Sequence, residues 1–384
     1  MFTNEINFRN FKIKKKYPEI KKKLHNLFKE KNYILDSLRK NYKNNYLKGN
    51  INKFKNSTRF RIIGMGGSTL GTQSIYDFLR HKKKKKFIFN DNLQSNLRVN
   101  QKKKITNLVI SKSGNTIETI VNSNILIKKQ DKNIFITENK KNYLYLLAEK
   151  LKAEIVHHNN FIGGRYSVLS EVGMLPAELM GLNPNSFRQL NSLIKNKNFV
   201  NSLISNVSAT LFLIKKNNFN SVIINYDAKS ENLFKWYQQL IAESLGKKKK
   251  GLLPIVSSMP KDNHSVMQLY LDGFQRNFYT FFFVHESKSE KIKNRSLLTS
   301  HKFLKNKNLS DVVYAQKKAT ENVFSKKNIP FRSFEIYKRN EKTLGELFCF
   351  FILETILIGK CLNINPYNQP AVELIKKETK KILI

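Results

Sequence analysis

Two short stretches hold side chains suited to moving a proton. Trp236–Lys247 reads as a helix closed by Gly246, with Gln239 and Glu243 one turn apart on a single face. Glu243 lies near the negative end of the helix dipole, a setting that suits a general base. Gly163-Gly164-Arg165-Tyr166-Ser167 places a guanidinium after two glycines. Glycines let backbone approach a ligand, and a fixed guanidinium can stabilise a developing oxyanion. Each stretch also has a plainer reading, an exposed helix glutamate and a loop arginine.

Two further stretches suit an anion. Gly64-Met65-Gly66-Gly67-Ser68-Thr69-Leu70-Gly71 lies between a strand pattern and a helix pattern, where free N–H groups and the helix dipole favour negative charge. It lacks the full dinucleotide spacing, and no acidic residue obviously ends the next strand. Ser111-Lys112-Ser113-Gly114-Asn115-Thr116-Ile117-Glu118-Thr119 crowds hydroxyls and amides at another strand-to-helix turn. Phosphate oxygens accept hydrogen bonds from such groups, and this turn is expected to hold a phosphate. Asp262-Asn263-His264-Ser265 opens a helix, and two prolines frame Asn363–Lys376 ahead of the last one. A single histidine is more often structural than catalytic.

The elements that must position these residues alternate. Strand patterns at Arg59–Gly64, Asn107–Ile110, Asn133–Thr137 and Glu154–His157 are interleaved with helical ones, and Val168–Gly181 reads as a helix. After a polar stretch, Leu182–Asn198, the rhythm restarts with strands at Ser221–Tyr226, Leu252–Val256, Asn277–Val284 and Phe331–Tyr337. The expectation is an α/β fold of two domains, 1–185 and 186–384, each a mainly parallel sheet flanked by helices. Residues 1–50 read as a basic helical lead-in. Glu341–Cys361 reads as a buried helix rather than a membrane span, because Glu354 interrupts its apolar run.

The net charge of +42 taken alone suggests a nucleic-acid partner. The lysines, however, are spread through the whole chain among Asn, Ile and Phe, as A- and T-rich codons would give. There is no zinc-finger spacing and no basic region leading into heptads. The runs Lys82–Lys86 and Lys247–Lys250 are expected to be solvated loops rather than nucleic-acid grips. Two cysteines, Cys349 and Cys361, suggest neither a disulfide framework nor a metal site. The basic start lacks the apolar core of a secretory signal, so a cytoplasmic setting is expected.

Taken in order, the six stretches resemble the glucose-6-phosphate isomerase family from about residue 30 to the C-terminus. The resemblance implies two sugar-isomerase domains around one site, with no cofactor and no metal. It implies that Glu243 moves a proton between C1 and C2, that Arg165 stabilises a cis-enediolate, and that His264 and Lys376 assist ring opening. Ser111, Ser113 and Thr116 would hold the phosphate, with Lys112 nearby, and Gly67 and Ser68 would line the sugar together with Gln239. Family members take the histidine from a second subunit, so the resemblance implies a homodimer. Ser113-Gly114-Asn115 departs from the common Thr-Phe-Thr and is similar to the form in bifunctional phosphoglucose/phosphomannose isomerases. A non-catalytic sugar-phosphate sensor should lose the base or the arginine, and this chain keeps Glu243 and Arg165.

Overall fold

The computed structural model describes residues 2–13, 17–82, 85–95, 104–286 and 288–384. Lys83 and Lys84, inside the first lysine run, lie outside the described residues. The architecture is α/β, with two mainly parallel sheets flanked by helices. One sheet comes from β2 (Arg59–Gly64), β3 (Lys86–Asn90), β4 (Thr106–Ile110), β5 (Lys132–Thr137) and β6 (Glu154–His157), in the order β3-β2-β4-β5-β6. All its pairings are parallel. The other comes from β1 (Ile6–Arg9), β7 (Asn220–Asn225), β8 (Leu253–Ser258), β9 (Asn277–Val284) and β10 (Phe331–Ile336), in the order β1-β10-β9-β7-β8. Only β1 runs antiparallel in it.

Every residue of β4, β9 and β10 is buried. This is the pattern of strands covered on both faces; β9 carries it as a nearly apolar run, whereas β10 buries Arg332, Ser333 and Glu335 among its apolar residues. In the first sheet the chain winds outward from β2 to β3 and then back past it to β4. The carboxyl ends of β2 and β4 therefore flank a topological switch point, where open α/β sheets offer a crevice to ligands. The two glycine- and hydroxyl-rich turns leave from these two ends.

The Glu341–Cys361 helix runs through the core, buried from Thr343 to Gly359. It carries Glu354 inside, where the carboxylate pairs with the buried Arg332 and accepts from Asn206. Arg332 also donates to the Tyr237 hydroxyl at 3.2 Å. A buried charge needs such a partner set to offset its desolvation.

Three expectations are corrected. The helical lead-in begins as a strand: β1 pairs with β10, Ile6 opposite Ile336 and Arg9 opposite Ser333. Phe2 and Phe8 pack on Phe334 and Phe350 of the second half. Four residues among Lys and Asn are too few to display a period of two. The polar stretch Leu182–Asn198 forms short helices, Pro184–Phe187 and Leu190–Leu193, that bury Phe187, Leu190 and Leu193. A Cβ on Gly345 would lie 1.9 Å from the Phe187 carbonyl oxygen, so this connection is pressed onto the central helix. Finally, the helix expected over Val168–Gly181 divides at the extended Ser170, with a 3-10 turn over Gly164–Leu169 and an α-helix over Glu171–Leu179.

Candidate active site

The Glu231–Leu245 helix of the second half lies against the Leu70–Phe78 helix of the first. Asn232 bridges them, its carbonyl accepting from Ser74 and its amide donating to Asp77. Trp236, buried on the same helix, donates its indole N–H to the Arg165 carbonyl at 3.1 Å. One helix thus carries the carboxylate and also fixes the backbone of the arginine.

The glycine turns meet at this seam. Gly66 has φ of 53°, and a Cβ there would come within 2.9 Å of the Gln239 amide nitrogen. At Gly67 a Cβ would lie 2.2 Å from the Gly164 carbonyl carbon and 2.5 Å from the Arg165 nitrogen. The two diglycine loops are in backbone contact, which no larger residue at 67 would allow. Ser68 follows, half-buried, on the 3-10 turn Gly66–Ser68.

Arg165 is 2% exposed and fully engaged. Its Nε donates to the Ser244 hydroxyl at 2.8 Å, and one terminal nitrogen donates to Glu243 at 3.2 Å and to Gln369 at 2.8 Å. The other donates to the carbonyls of Pro366 at 2.7 Å and Asn368 at 3.2 Å. The Tyr166 hydroxyl reaches Ser244 and Pro366 in the same network, and burial raises its pKa. Glu243, about a third exposed, accepts from Gln239 at 2.9 Å through its second oxygen. The Gln239 side-chain oxygen is buried with no partner among the described residues. Glu243 thus stands half-open between a cation and an amide, at the wall of a 750 Å³ cavity lined also by Lys247–Lys250, Asn365, Asn368, Gln369 and Val372. Held in this way, it can exchange a proton with a bound molecule while the guanidinium faces the charge that develops.

The hydroxyl-rich turn leaves β4 beside this cluster, with Ile110 in register with Gly64. Ser111 and Thr116 hydroxyls lie 2.9 Å apart at the start of the Ile117–Leu126 helix, whose N-cap Thr116 accepts no backbone N–H through its side chain. Ser113 is exposed, and Gly114, with φ of 65°, is pressed on Asn142, whose Oδ1 would lie 1.8 Å from an added Cβ. Open backbone N–H groups and hydroxyls at a helix start suit a phosphate. Lys112 faces sideways, donating to the Asn160 carbonyl at 2.7 Å and lying 3.7 Å from Glu138. Beside it His158, buried after β6, is pushed down to about pKa 4, chiefly by burial.

Thus Gly67, Arg165, Gln239 and Glu243 come together, with Ser68 beside them and Ser111, Ser113 and Thr116 one strand away. His264 and Lys376 do not join them within one chain. His264 is exposed on the 3-10 turn Lys261–His264 after β8, and its side chain makes no hydrogen bond or ion pair among the described residues. Lys376 is exposed on the Val372–Leu383 helix and pairs with Glu373, at 2.7 Å. One expectation is corrected here: Lys247 is half-buried at the cavity wall, where its ammonium reaches the Asn365 carbonyl. Burial and the Arg165 charge, opposed by Glu243, lower its pKa to about 8. Gln369 also went unread, since nothing local in the Asn-Pro-Tyr-Asn-Gln-Pro loop shows that it accepts from Arg165. Among the described residues, no group of three or more His, Cys, Asp or Glu could hold a metal. None of their helices is long and apolar enough to cross a membrane.

The model of one family, phosphoglucose isomerase, matches residues 29–384. The chain is 32% identical over 354 residues to glucose-6-phosphate isomerase of Methanocaldococcus jannaschii, covering 85% of this chain and 86% of that one. It is likewise 32% identical over 350 residues to that of Mycoplasmopsis pulmonis, covering 84% and 82%. Among solved structures, a hypothetical protein of Thermus thermophilus superposes with a TM-score of 0.79 at 20% identity, covering 95% and 94% of the two chains. A glucose-6-phosphate isomerase of Chlamydia trachomatis gives 0.68 at 19%, covering 87% and 71%. At these identities the structures speak for the fold, while the match over nearly the whole sequence speaks for descent. The chain belongs to the phosphoglucose isomerase family.

Proposed function

We propose that the chain interconverts glucose 6-phosphate and fructose 6-phosphate through a cis-enediolate, with Glu243 as the base. The observation that carries this reading is Glu243 held open to the cavity between Arg165 and Gln239, one strand from a hydroxyl-rich helix start. With the phosphate on Ser111, Ser113 and Thr116, an opened sugar chain extends toward Glu243. The carboxylate takes the proton from C2 of the aldose, and the C–H electron pair moves toward the C1 carbonyl oxygen. Arg165 stabilises the resulting enediolate, the C2 hydroxyl proton passes to O1, and return of the proton to C1 as C2–O becomes the carbonyl gives the ketose. The carbonyl itself acidifies the C–H bond, so proton and electron pair are redistributed within the substrate.

Ring opening is assigned to His264 and Lys376. His264 is exposed and out of contact with the cluster, which supports its action in the site of a second copy. The Val372–Leu383 helix starts at the cavity and exposes Val372, Ile375, Ile382 and Leu383. An uncovered apolar face of this kind favours a partner surface, and seating it would fix Lys376. The working unit is therefore a homodimer, acting in the cytoplasm. A second reading adds mannose 6-phosphate as a substrate. The Ser113-Gly114-Asn115 turn suggests it, but the relatives that match most of the chain are glucose-6-phosphate isomerases and do not favour it. Glucose and mannose 6-phosphates differ at C2 and share one planar enediolate.

The test is a coupled assay of the purified chain for glucose 6-phosphate formed from fructose 6-phosphate, repeated with mannose 6-phosphate. Turnover of the first is expected. A folded dimer that binds fructose 6-phosphate without turning it over would contradict the reading.

A further inference from the structure

We propose that Lys247 is a positioning residue for the isomerisation, its ammonium group holding the 365–369 loop in the arrangement that fixes Arg165 beside Glu243. This rests on the assignment of Glu243 and Arg165 above and deepens it.

The Lys247 ammonium donates to the Asn365 carbonyl at 2.6 Å. The next carbonyl, of Pro366, accepts from both Arg165 and Tyr166, and Asn368 and Gln369 supply the other loop acceptors of the guanidinium. The arginine is therefore aimed by a loop that needs its own anchor. Lys250 adds a second clip, donating to the Leu362 carbonyl at 3.1 Å. Between the two lysines the chain makes a tight turn, closed by Lys247 N–H to the Lys250 carbonyl at 3.1 Å and the reverse at 2.9 Å. Lys248 and Lys249 sit in this turn at φ of 53° and 57°, left-handed backbone that side-chain-bearing residues rarely adopt. Such backbone persists where its surroundings over-determine it. Here it brings both flanking ammonium groups back onto one segment, Leu362–Asn365.

Lys247 also stands four residues beyond Glu243, past the end of the same helix. Arg165 and Glu243 face it from the loop and helix behind, Lys248–Lys250 share its turn, Tyr367 lies on the tethered loop, and Glu373 on the helix beyond. Its lowered pKa, about 8, means that the charge on the tether is lost on mild alkalinisation. A neutral amine holds a carbonyl less firmly than an ammonium group does, so the alkaline limb of turnover should follow this group.

The experiment compares wild type, Lys247→Met and Lys247→Arg in kcat, KM for fructose 6-phosphate and pH profile. Lys247→Met should lower kcat by about 10²-fold, the size of effect a small misplacement of a catalytic group produces, with KM little changed. Lys247→Arg, still charged, should recover most of the turnover and move the alkaline limb to higher pH. Binding of fructose 6-phosphate to Lys247→Met, measured by calorimetry, shows that the variant is folded. The proposal fails if a folded Lys247→Met keeps wild-type kcat and pH profile. It fails equally if Lys247→Arg is as impaired as Lys247→Met. Activity in Glu243→Gln would instead overturn the assignment of the base, whatever Lys247 does.

Discussion

Arg165 meets five partners and only one of them is the carboxylate, so most of its hydrogen bonds fix the guanidinium in place. A pre-aimed cation of this kind is more useful to an enediolate than to the neutral sugar end. A five-carbon aldonate 5-phosphate, whose planar carboxylate imitates the enediolate, should therefore inhibit tightly and competitively. Arg165→Ala should weaken that inhibitor by more than it weakens fructose 6-phosphate, measured as Ki against KM. Equal losses would make the arginine a substrate clamp. The sequence made the pairing of Glu243 with Gln239 legible, because helical spacing alone puts them on one face. The loop acceptors on Arg165 were not legible, since Pro366, Asn368 and Gln369 lie more than 200 positions away along the chain.

His158 yields a pH prediction at the same scale. Its Nδ1 lies 2.9 Å from the Asn159 carbonyl oxygen, which can only accept, so the ring is held neutral with the proton on Nδ1. The folded pKa is about 4 against 6.5 unfolded, so above 6.5 neither state is charged and the group is silent. Between 6.5 and 4 the unfolded chain takes up a proton that the folded chain refuses, and stability falls; below 4 both are charged and the loss is complete. The loss amounts to about 3 kcal/mol at most. Urea unfolding of wild type and His158→Asn at about pH 7 and about pH 4.5, either side of most of that window, measures it. The drop between the two conditions should shrink in the variant, and an unchanged drop would assign acid sensitivity elsewhere.

At the scale of elements, the long apolar runs declared themselves: β9 and the Glu341–Cys361 helix have the bounds that their sequence pattern gives. The short amphiphilic pieces did not. β3 begins inside a lysine run, and β1 is four residues in a basic lead-in, placed by a partner more than 300 residues downstream. Antiparallel pairing with β10 is long-range information that no local period contains. Ile6 is wholly buried there, so Ile6→Ala should cost about 2–5 kcal/mol in chemical denaturation. Turnover of the protein that remains folded should stay near wild type, since β1 lies on the far edge of the second sheet from β8. A loss below about 1 kcal/mol, well under that range, would mean that the strand is peripheral to folding.

At the scale of the molecule, the two sheets are wound alike, and the site lies where a helix from one half closes over the turns of the other. Alternating strand and helix patterns disclosed the sheets, but their mutual placement depends on contacts such as Gly67 against Gly164 and Trp236 against Arg165. The proposed sharing of sites between two copies also belongs to this scale. If His264 serves the neighbouring site, Glu243→Gln and His264→Ala homodimers should both be impaired. Refolding them together should create mixed dimers in which one site carries both lesions and the other none. Random pairing makes about half the dimers mixed, so about a quarter of all sites should be intact. Activity that stays at the average of the parents, with mixed dimers present, would mean that each site is built from one chain.

The proposed chemistry turns on Glu243 as the group that moves the proton. The direct measurement is release of the C2 deuterium of labelled glucose 6-phosphate, followed with ketose formation, in wild type and Glu243→Gln. The glutamine keeps the size and can still accept from Arg165 through its one carbonyl oxygen, but its amide nitrogen only donates and cannot take up a proton. Positioned proton transfer contributes about 10²–10⁴-fold. The variant should bind fructose 6-phosphate and lose both deuterium release and isomerisation by that order. Near-normal rates of both in Glu243→Gln would contradict the account.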